Sequence, residues 1–225
     1  MSKTGRSSFI LGIVIGMLVI VVLTALAVGL LMSGDMVYRI EIDALNIEAE
    51  SGLARDIILR NYNAVIAYLN PFNSDSFSMP DLGASEGGIN HFKDVKNILC
   101  GVYIFGAVCF ISIILLSIFF KRRMTSGTLL TISLTIFLLP LTMIVAIALD
   151  FDSFFILFHE LFFTNDDWIF SQVTDPVITI LPAEYFMHCA IVIAVFWLLG
   201  SVFYLILSIR KKKKVPNQPV FIPRY

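Results

Sequence analysis

Residues 98–123 read ILCGVYIFGAVCFISIILLSIFFKRR, in which an apolar run of 23 residues is followed by three basic residues. A helix of roughly 20 residues crosses the hydrocarbon core of a bilayer, and this run is that long without a charge. Inside hydrocarbon every backbone N–H and C=O group must be bonded within the segment. The run is therefore predicted to be a transmembrane helix, and the basic residues mark its return to water.

Three further runs of the same kind lie on either side of this one. They cover residues 9–32, 128–149 and 189–209, and none of them contains a charged residue. Of all 225 residues, 58% are hydrophobic and only 15% are charged, whereas about a quarter are charged in a usual soluble domain. The sequence predicts an all-α integral membrane protein with four transmembrane helices, in one membrane domain that takes in residues 1–225.

Two of these runs have features of their own. Residues 9–32 are longer than the apolar core of a signal peptide, which takes 7–15 residues, so we expect an uncleaved anchor. The alternative is cleavage near Ala25-Leu26-Ala27, which would leave the placement of the later segments unchanged. Pro140 lies inside the third run and is expected to kink that helix.

The two signs of charge are segregated along the chain. Basic residues precede the first run and fill the turn 121–127 and the tail 210–225, whereas all 17 acidic residues lie in segments 33–97 and 150–188. Lys and Arg accumulate on the cytoplasmic side of membrane proteins. Both termini are therefore predicted to be cytoplasmic, and the two acidic segments are predicted to be external.

The two external segments are predicted to form an extracytoplasmic cap. In the first segment, apolar residues recur at helical spacing from Ser51 to Leu69, a loop follows over residues 72–90, and a short helix starts at His91. In the second segment, residues 151–163 hold seven aromatic side chains, counting one histidine. Aromatic rings favour the headgroup boundary, so this stretch is predicted to be a short interfacial helix.

All three histidines fall on the external side, and two of them have an acid at helical spacing. His91 and Asp94 are three residues apart, and Glu184 and His188 are four apart, so each pair would share a helix face. A carboxylate that orients an imidazole is the arrangement that a general base needs. Two such pairs at the membrane boundary favour a catalytic role over that of a hydrogen-bonded interfacial histidine.

Two short matches to catalytic motifs are weak. Gly83-Ala84-Ser85-Glu86-Gly87 fits G-x-S-x-G, but it lies in a Gly-rich loop rather than at a strand–turn–helix elbow. His159-Glu160 begins like the zinc motif H-E-x-x-H but reaches Phe163 instead of a second histidine. We therefore expect neither a metal nor another cofactor, and a metal held by His91, His159 and a carboxylate is the alternative.

Binding of nucleotides and nucleic acids is disfavoured by the motifs and by the place of the basic residues. The sequence contains no P-loop and no G-x-G-x-x-G. The basic run of residues 211–214 directly follows a membrane helix, so it predicts contact with anionic lipid rather than nucleic acid. The apolar runs contain no ionisable groups, which argues against an ion channel or a proton-coupled transporter.

Two motifs on the external face resemble those of a known family. One is His91-Phe92-Lys93-Asp94-Val95-Lys96, just before the second membrane helix. The other is FHELFFTNDDWIF at residues 158–170, continued by Asp175 and by LPAEYF at residues 181–186. Both are similar to the bacterial lipoprotein intramolecular transacylase family, called Lit. The resemblance extends over nearly the whole chain and includes the four-helix layout.

The resemblance implies an acyltransferase of the bacterial plasma membrane with its active site at the outer leaflet. Such enzymes take diacylglyceryl-modified lipoproteins and move the sn-2 acyl chain onto the α-amino group of the same N-terminal cysteine, which gives the lyso-form lipoprotein. The catalytic histidines of the family match His91 and His159, whereas His188 has no counterpart. The candidates for supporting, orienting or oxyanion-binding roles are Asp94, Lys96, Asn165, Asp166, Trp168 and Glu184.

The residues also suit this chemistry on physical grounds. Converting an ester into an amide is downhill, so the reaction requires no nucleotide, and an amine in the same molecule can reach an effective concentration of ~10⁵ M. The attacking amine must lose a proton and the departing oxygen must gain one. Two histidines that titrate near neutrality can serve as base and acid, in either order.

Two other functional classes fit the same layout. The chain could be a non-enzymatic membrane scaffold or sensor, in which the aromatic segment seats the cap on the bilayer. It could also be a metal-dependent membrane hydrolase. Mass spectrometry of a lipoprotein N-terminus, with and without this protein, distinguishes both from a transacylase.

Overall fold

The computed structural model describes residues 3–213, with side chains from residue 5 onward, and contains helices but no strands in that range. In chain order the helices are α1 (Lys3–Leu31), α2 (Met36–Ala44), α3 (Ile47–Ser51), α4 (Arg55–Leu69), α5 (Glu86–Phe119), α6 (Ser126–Leu149), α7 (Phe151–Phe162) and α8 (Ala183–Lys213), with 3₁₀ turns at Lys121–Arg123 and Pro176–Thr179. Within the described range, α1, α5, α6 and α8 are the helices long and apolar enough to cross a membrane. The prediction of four spans is confirmed, and each predicted run lies in one of these helices to within one residue.

Small residues let α1 pack closely against α6. Gly12 and Gly16 are one turn apart, and a Cβ atom on either would lie 2.7 Å from the Cβ of Thr131 or Thr135. Small residues at this spacing are typical of close helix contacts in membranes, where backbones approach each other without bulky side chains between them. Because α1 also contacts α5 and α8, it holds the four-helix bundle together.

Two reciprocal serine pairs join α6 to α8. Ser133 Oγ donates to the carbonyl oxygen of Ser201 at 2.9 Å, and Ser201 Oγ donates to that of Ser133 at 3.0 Å. Ser126 and Ser208 exchange the same two bonds, at 2.9 and 2.8 Å. Hydrogen bonds between membrane helices contribute about 0.6 kcal/mol on average. The two pairs fix the register of α8 against α6 and so the position of the first turn of α8 at the cap.

The cap, which we define as residues 36–85 and 150–182, is built on a tyrosine cluster. The rings of Tyr38 and Tyr62 stack with their centroids 3.7 Å apart, and the hydroxyl of Tyr62 lies 3.2 Å from that of Tyr185. The hydroxyl of Tyr38 donates to the carbonyl of Ile180. Because the three tyrosines come from α2, α4 and α8, this cluster seats the cap on the start of the last membrane helix.

Two boundaries in the cap differ from the prediction. The helix predicted from Ser51 begins at Arg55, because Gly52 adopts a left-handed conformation with φ 70° and ends α3. The short helix predicted from His91 is instead part of one continuous helix that starts at Glu86. The predicted loop over residues 72–90 is correspondingly shorter.

Two other expectations concern α6 and α7. The helix predicted over residues 151–163 is present as α7 (Phe151–Phe162), and its position at the membrane interface stays a prediction. Pro140 lies inside α6 without ending the helix, and the kink expected there stays a prediction.

Candidate active site

The rings of His91 and His159 meet where the first turns of α5 contact α7. Their centroids are 5.9 Å apart, and the two residues are only 8% and 9% exposed. His91 lies two turns before the apolar stretch of α5 that starts at Ile98, and His159 lies in α7. Both histidines are therefore outside the four predicted apolar runs. The structure thus brings together the two histidines that the resemblance implies are catalytic.

Phe163 and Phe170 form the wall around His91. The ring of Phe163 lies 4.7 Å from that of His91 and 5.6 Å from that of His159, so it contacts both. Phe170 meets His91 edge-on at 5.3 Å. Neither phenylalanine was predicted as a site residue, and the aromatic richness of residues 151–170 was the signal that pointed to them. The pair of imidazoles is thus enclosed by apolar rings.

His159 is fixed by Phe155 and Trp168. Its Nδ1 lies 2.7 Å from the carbonyl oxygen of Phe155, one helical turn earlier, and the indole ring of Trp168 stacks on it at 4.7 Å. A carbonyl oxygen can only accept, so in the neutral ring Nδ1 carries the proton. Nε2 of His159 therefore carries the lone pair and is the basic nitrogen.

The predicted pairing of His91 with Asp94 is wrong. Nδ1 of His91 is buried without a hydrogen-bond partner, and Asp94 Oδ2 accepts instead from Nδ2 of Asn165 at 3.1 Å. Oδ1 of the same Asn165 accepts from the backbone N–H of Asp167 at 3.2 Å. The amide of Asn165 therefore joins the segment after α7 to α5 and is already bonded at both ends.

Burial makes both histidines weak bases. Burial and, to a smaller extent, the neighbouring His159 lower the pKa of His91 to about 4, while Asp94 has the opposite effect. Burial also lowers the pKa of His159, opposed by its bond to the Phe155 carbonyl. Both imidazoles are therefore neutral at pH 7, the form in which each ring has one nitrogen to donate and one to accept.

Asp175 clamps the segment between α7 and α8 to the start of α5. Its buried carboxylate accepts from the backbone N–H of Ser85 at 2.8 Å and from the hydroxyl of Thr174 at 2.7 Å. Burial raises the pKa of Asp175, but the hydrogen bonds from Thr174 and Ser85 outweigh burial and hold it below its ordinary value. A Cβ atom on Gly88 would lie 2.2 Å from Asp175 Oδ1, so this close approach requires glycine.

Ser85 serves as the N-cap of α5. Its hydroxyl oxygen accepts from the backbone N–H of Gly88 at 2.9 Å. This bond satisfies one of the free donors at the start of the helix. The G-x-S-x-G match at residues 83–87 is thus accounted for by a helix start.

Three predicted supporting residues lie apart from the histidine pair. Nζ of Lys96 donates to the carbonyl of Asn73 at 2.6 Å and lies 4.5 Å from the ring centre of Tyr68. Asp166 and Glu184 are exposed, and neither bonds to a histidine in the part of the chain that the structure describes. Lys96 thus holds the loop of the cap, whereas the supporting candidate Trp168 stacks on the ring of His159.

The predicted pairing of Glu184 with His188 is also wrong. Nδ1 of His188 lies 2.6 Å from Oε2 of Glu41, 147 residues earlier in the chain. This bond joins α2 to the second turn of α8. His188 therefore has a structural partner outside the aromatic enclosure. Among residues 5–213, no three His, Cys, Asp or Glu side chains come together in a way that could hold a metal ion.

The low pKa of His91 predicts a loss of stability in acid. The folded protein binds this proton near pH 4 and an unperturbed histidine binds it near 6.5, so the unfolded chain takes up more protons between these values. The contribution is complete above about pH 6.5 and is lost as the pH falls towards 4, by on the order of 3 kcal/mol. The thermal unfolding midpoint of the purified protein should fall more between pH 7 and 4.5 than that of His91→Phe. Equal slopes for the two proteins would contradict the assignment.

Comparisons with known proteins agree with this fold. A family model described as lipoprotein intramolecular transacylase Lit matches residues 12–186. The solved structure of the membrane integral lipoprotein intramolecular transacylase Lit from Bacillus cereus superposes with a TM-score of 0.84 at 33% identity, covering 93% of this chain and 99% of that chain. Two further structures of that protein, with one histidine replaced by arginine or by alanine, each have a TM-score of 0.80 at 33% identity. They cover 93% of this chain, and 94% and 96% of the matched chains respectively.

No curated protein sequence matches the chain. The chain belongs to the Lit family of membrane-integral lipoprotein intramolecular transacylases, which are acyltransferases.

Proposed function

We propose that His91 and His159 carry out the acyl transfer in this chain. The substrate is a lipoprotein whose N-terminal cysteine carries a diacylglyceryl group, and the sn-2 acyl chain moves to the α-amino group of that cysteine. The observation that supports this proposal is the pair of buried neutral imidazoles, 5.9 Å apart, inside an aromatic enclosure.

His159 acts as the general base. The α-amino group of a protein has a pKa of about 7.7–8.0 in water, and desolvation among aromatic rings favours its neutral form. As the amine nitrogen attacks the ester carbonyl carbon, Nε2 of His159 takes its proton. The bond from Nδ1 to the Phe155 carbonyl stabilises the imidazolium that forms.

The same histidine returns the proton. When the tetrahedral intermediate collapses, the bond from the acyl carbon to the sn-2 glyceryl oxygen breaks, and that oxygen takes the proton from His159. One ester bond is replaced by one amide bond, with no net gain or loss of protons. The product is an N-acylated cysteine that keeps one acyl chain on its glyceryl group.

His91 acts as a neutral hydrogen-bond donor. We assign its proton to Nε2, because its Nδ1 has no acceptor and a buried N–H without an acceptor is rare in proteins. With a pKa of about 4, His91 stays uncharged and can donate to the developing oxyanion without competing for the amine proton. The sequence predicted that one histidine would act as the base and the other as the acid. We propose instead that His159 fills both roles and that His91 is a hydrogen-bond donor.

The aromatic walls favour transfer over hydrolysis. Phe163 and Phe170 leave His91 only 8% exposed, so little water can reach the acyl carbon. The amine of the same molecule is held close at high effective concentration. Positioning and exclusion of water then replace a covalent enzyme intermediate.

We also place the site at the outer leaflet of a bacterial plasma membrane, with both termini in the cytoplasm. The basic residues at 121–123 and 210–213 lie at the end of the bundle opposite the histidines, in agreement with the positive-inside rule. Membrane lipid and the lipoprotein substrate are the proposed partners.

The orientation predicts opposite labelling of two cysteine variants. Asn73→Cys should react with an impermeant thiol reagent in intact cells, whereas Thr125→Cys should react only after the cells are opened. Both are made in a background without Cys100, Cys109 and Cys189. Labelling of the Thr125 site in intact cells, with protection of the Asn73 site, would reverse the orientation.

The proposed function is tested in bacteria that lack any lyso-form lipoprotein. A diacylglyceryl lipoprotein is purified from cells with and without this protein, and the mass and fragmentation of its N-terminal peptide are measured. We expect the acyl chain on the α-amino group when the protein is expressed. An unchanged diacylglyceryl N-terminus at normal expression would favour a scaffold or sensor.

A further inference from the structure

A recess of about 670 Å³ lies at the end of the bundle opposite the cap, between α6 and the last turns of α8. It is lined by Leu129, Leu207, Arg210, Lys211 and Lys213. Leu207 and Arg210 are three residues apart and Leu207 and Lys211 are four apart, so they share one face of α8. The recess therefore has an apolar floor and a basic rim, one helical turn apart.

The basic rim has no acidic counterpart in the protein. No Asp or Glu occurs in residues 1–34, 98–149 or 185–225, and every ion pair among the described residues lies in or beside the cap. Nζ of Lys211 donates to the carbonyl of Met124. The side chains of Arg210 and Lys213 have no hydrogen-bond or ion-pair partner within residues 5–213. These two side chains are therefore available to pair with an anion that is not a side chain of this protein.

The place and the chemistry of the recess fit a lipid. Long basic side chains at helix ends reach the headgroup region while their stems cover apolar surface. Basic pockets between membrane helices are typical sites for anionic lipid headgroups. In a phospholipid the short glycerol unit joins the phosphate to the acyl chains. The recess likewise has cations one helical turn from Leu207, with Leu129 of α6 in the same lining.

We propose that the recess binds one phospholipid with a net negative headgroup. The phosphate lies between Arg210 and Lys213, and the first part of an acyl chain lies against Leu129 and Leu207. This site is at the opposite end of the bundle from the histidines and does not depend on the proposed function.

The proposal is tested by native mass spectrometry of the purified full-length protein with phosphatidylglycerol, and with phosphatidylcholine of the same chains. We expect one phosphatidylglycerol per protein, not displaced by phosphatidylcholine. Each basic side chain near a lipid surface contributes a factor of roughly five, so Arg210→Gln with Lys213→Gln should weaken binding about 30-fold.

The matched control removes two charges at the same end that do not line the recess, by Lys121→Gln with Lys212→Gln. Its affinity should change less than about threefold, because neither side chain lines the recess and an exposed charge without a close contact contributes little. Equal losses in the two double variants would show diffuse attraction and overturn the site. Equal binding of phosphatidylcholine, or no retained phosphatidylglycerol, would also overturn it.

Discussion

His159→Ala and His91→Ala should each reduce the production of lyso-form lipoprotein by about 10²–10⁴-fold, the usual contribution of a positioned acid–base or donor group. Removing His159 takes away the base that accepts the amine proton, with Phe155 and Trp168 left in place. Removing His91 takes away the donor to the oxyanion. The measurement is the rate of conversion of diacyl to lyso-form lipoprotein by purified variants at matched concentration.

His188→Ala is the control for these two variants. It removes an imidazole of the same face of the protein that is paired with Glu41 and does not contact the aromatic enclosure. We expect its rate to stay within several-fold of the original. Near-normal rates for both His91→Ala and His159→Ala would end the proposed mechanism, whatever the rate of His188→Ala.

Gly88→Ala should reduce the rate by about 10–100-fold, although Gly88 has no side chain that could take part in the reaction. Its added Cβ would lie 2.2 Å from Asp175 Oδ1, so the carboxylate must move away from the N–H of Ser85. That bond holds the segment of residues 163–175 on α5, and this segment supplies Phe163 and Phe170 to the site. A displacement of about 1 Å in such a site can cost ~10²-fold.

Gly83→Ala is the matched control, because a Cβ there would meet nothing within 4 Å. Its rate and thermal stability should both stay close to those of the original protein. If Gly88→Ala were as active as Gly83→Ala, the contact between Asp175 and the start of α5 would have no part in shaping the site.

The four membrane helices could be predicted from the sequence because hydrophobic length is a local property. About 20 consecutive apolar residues are enough to identify each membrane helix, and the adjacent basic residues predict the direction in which the helix crosses the membrane. The break before α4 was harder to place, since it depends on the left-handed conformation of Gly52. The early start of α5 at Glu86 was missed because Gly88 stands where a capping box would have Glu or Gln.

The partners of the histidines could not be predicted from spacing along the chain. Helical spacing favoured Asp94 for His91 and Glu184 for His188, and both pairings are wrong. Asp94 bonds to Asn165, which is 71 residues away, and His188 pairs with Glu41, which is 147 residues away. The folded cap decides such contacts, whereas the abundance of aromatic residues near His159 was visible in the sequence.

The most direct test of the central claim uses the purified protein and a synthetic diacylglyceryl lipopeptide with an isotope-labelled sn-2 acyl chain, mixed with an equal amount of an unlabelled lipopeptide of different mass. Mass spectrometry then locates the label. We predict that the label appears on the α-amino group of the lipopeptide that first carried it, without transfer to the other lipopeptide, and that His159→Ala forms this product at least about 10²-fold more slowly. Release of the label as free fatty acid, or its appearance on the second lipopeptide, would contradict intramolecular transfer within this site.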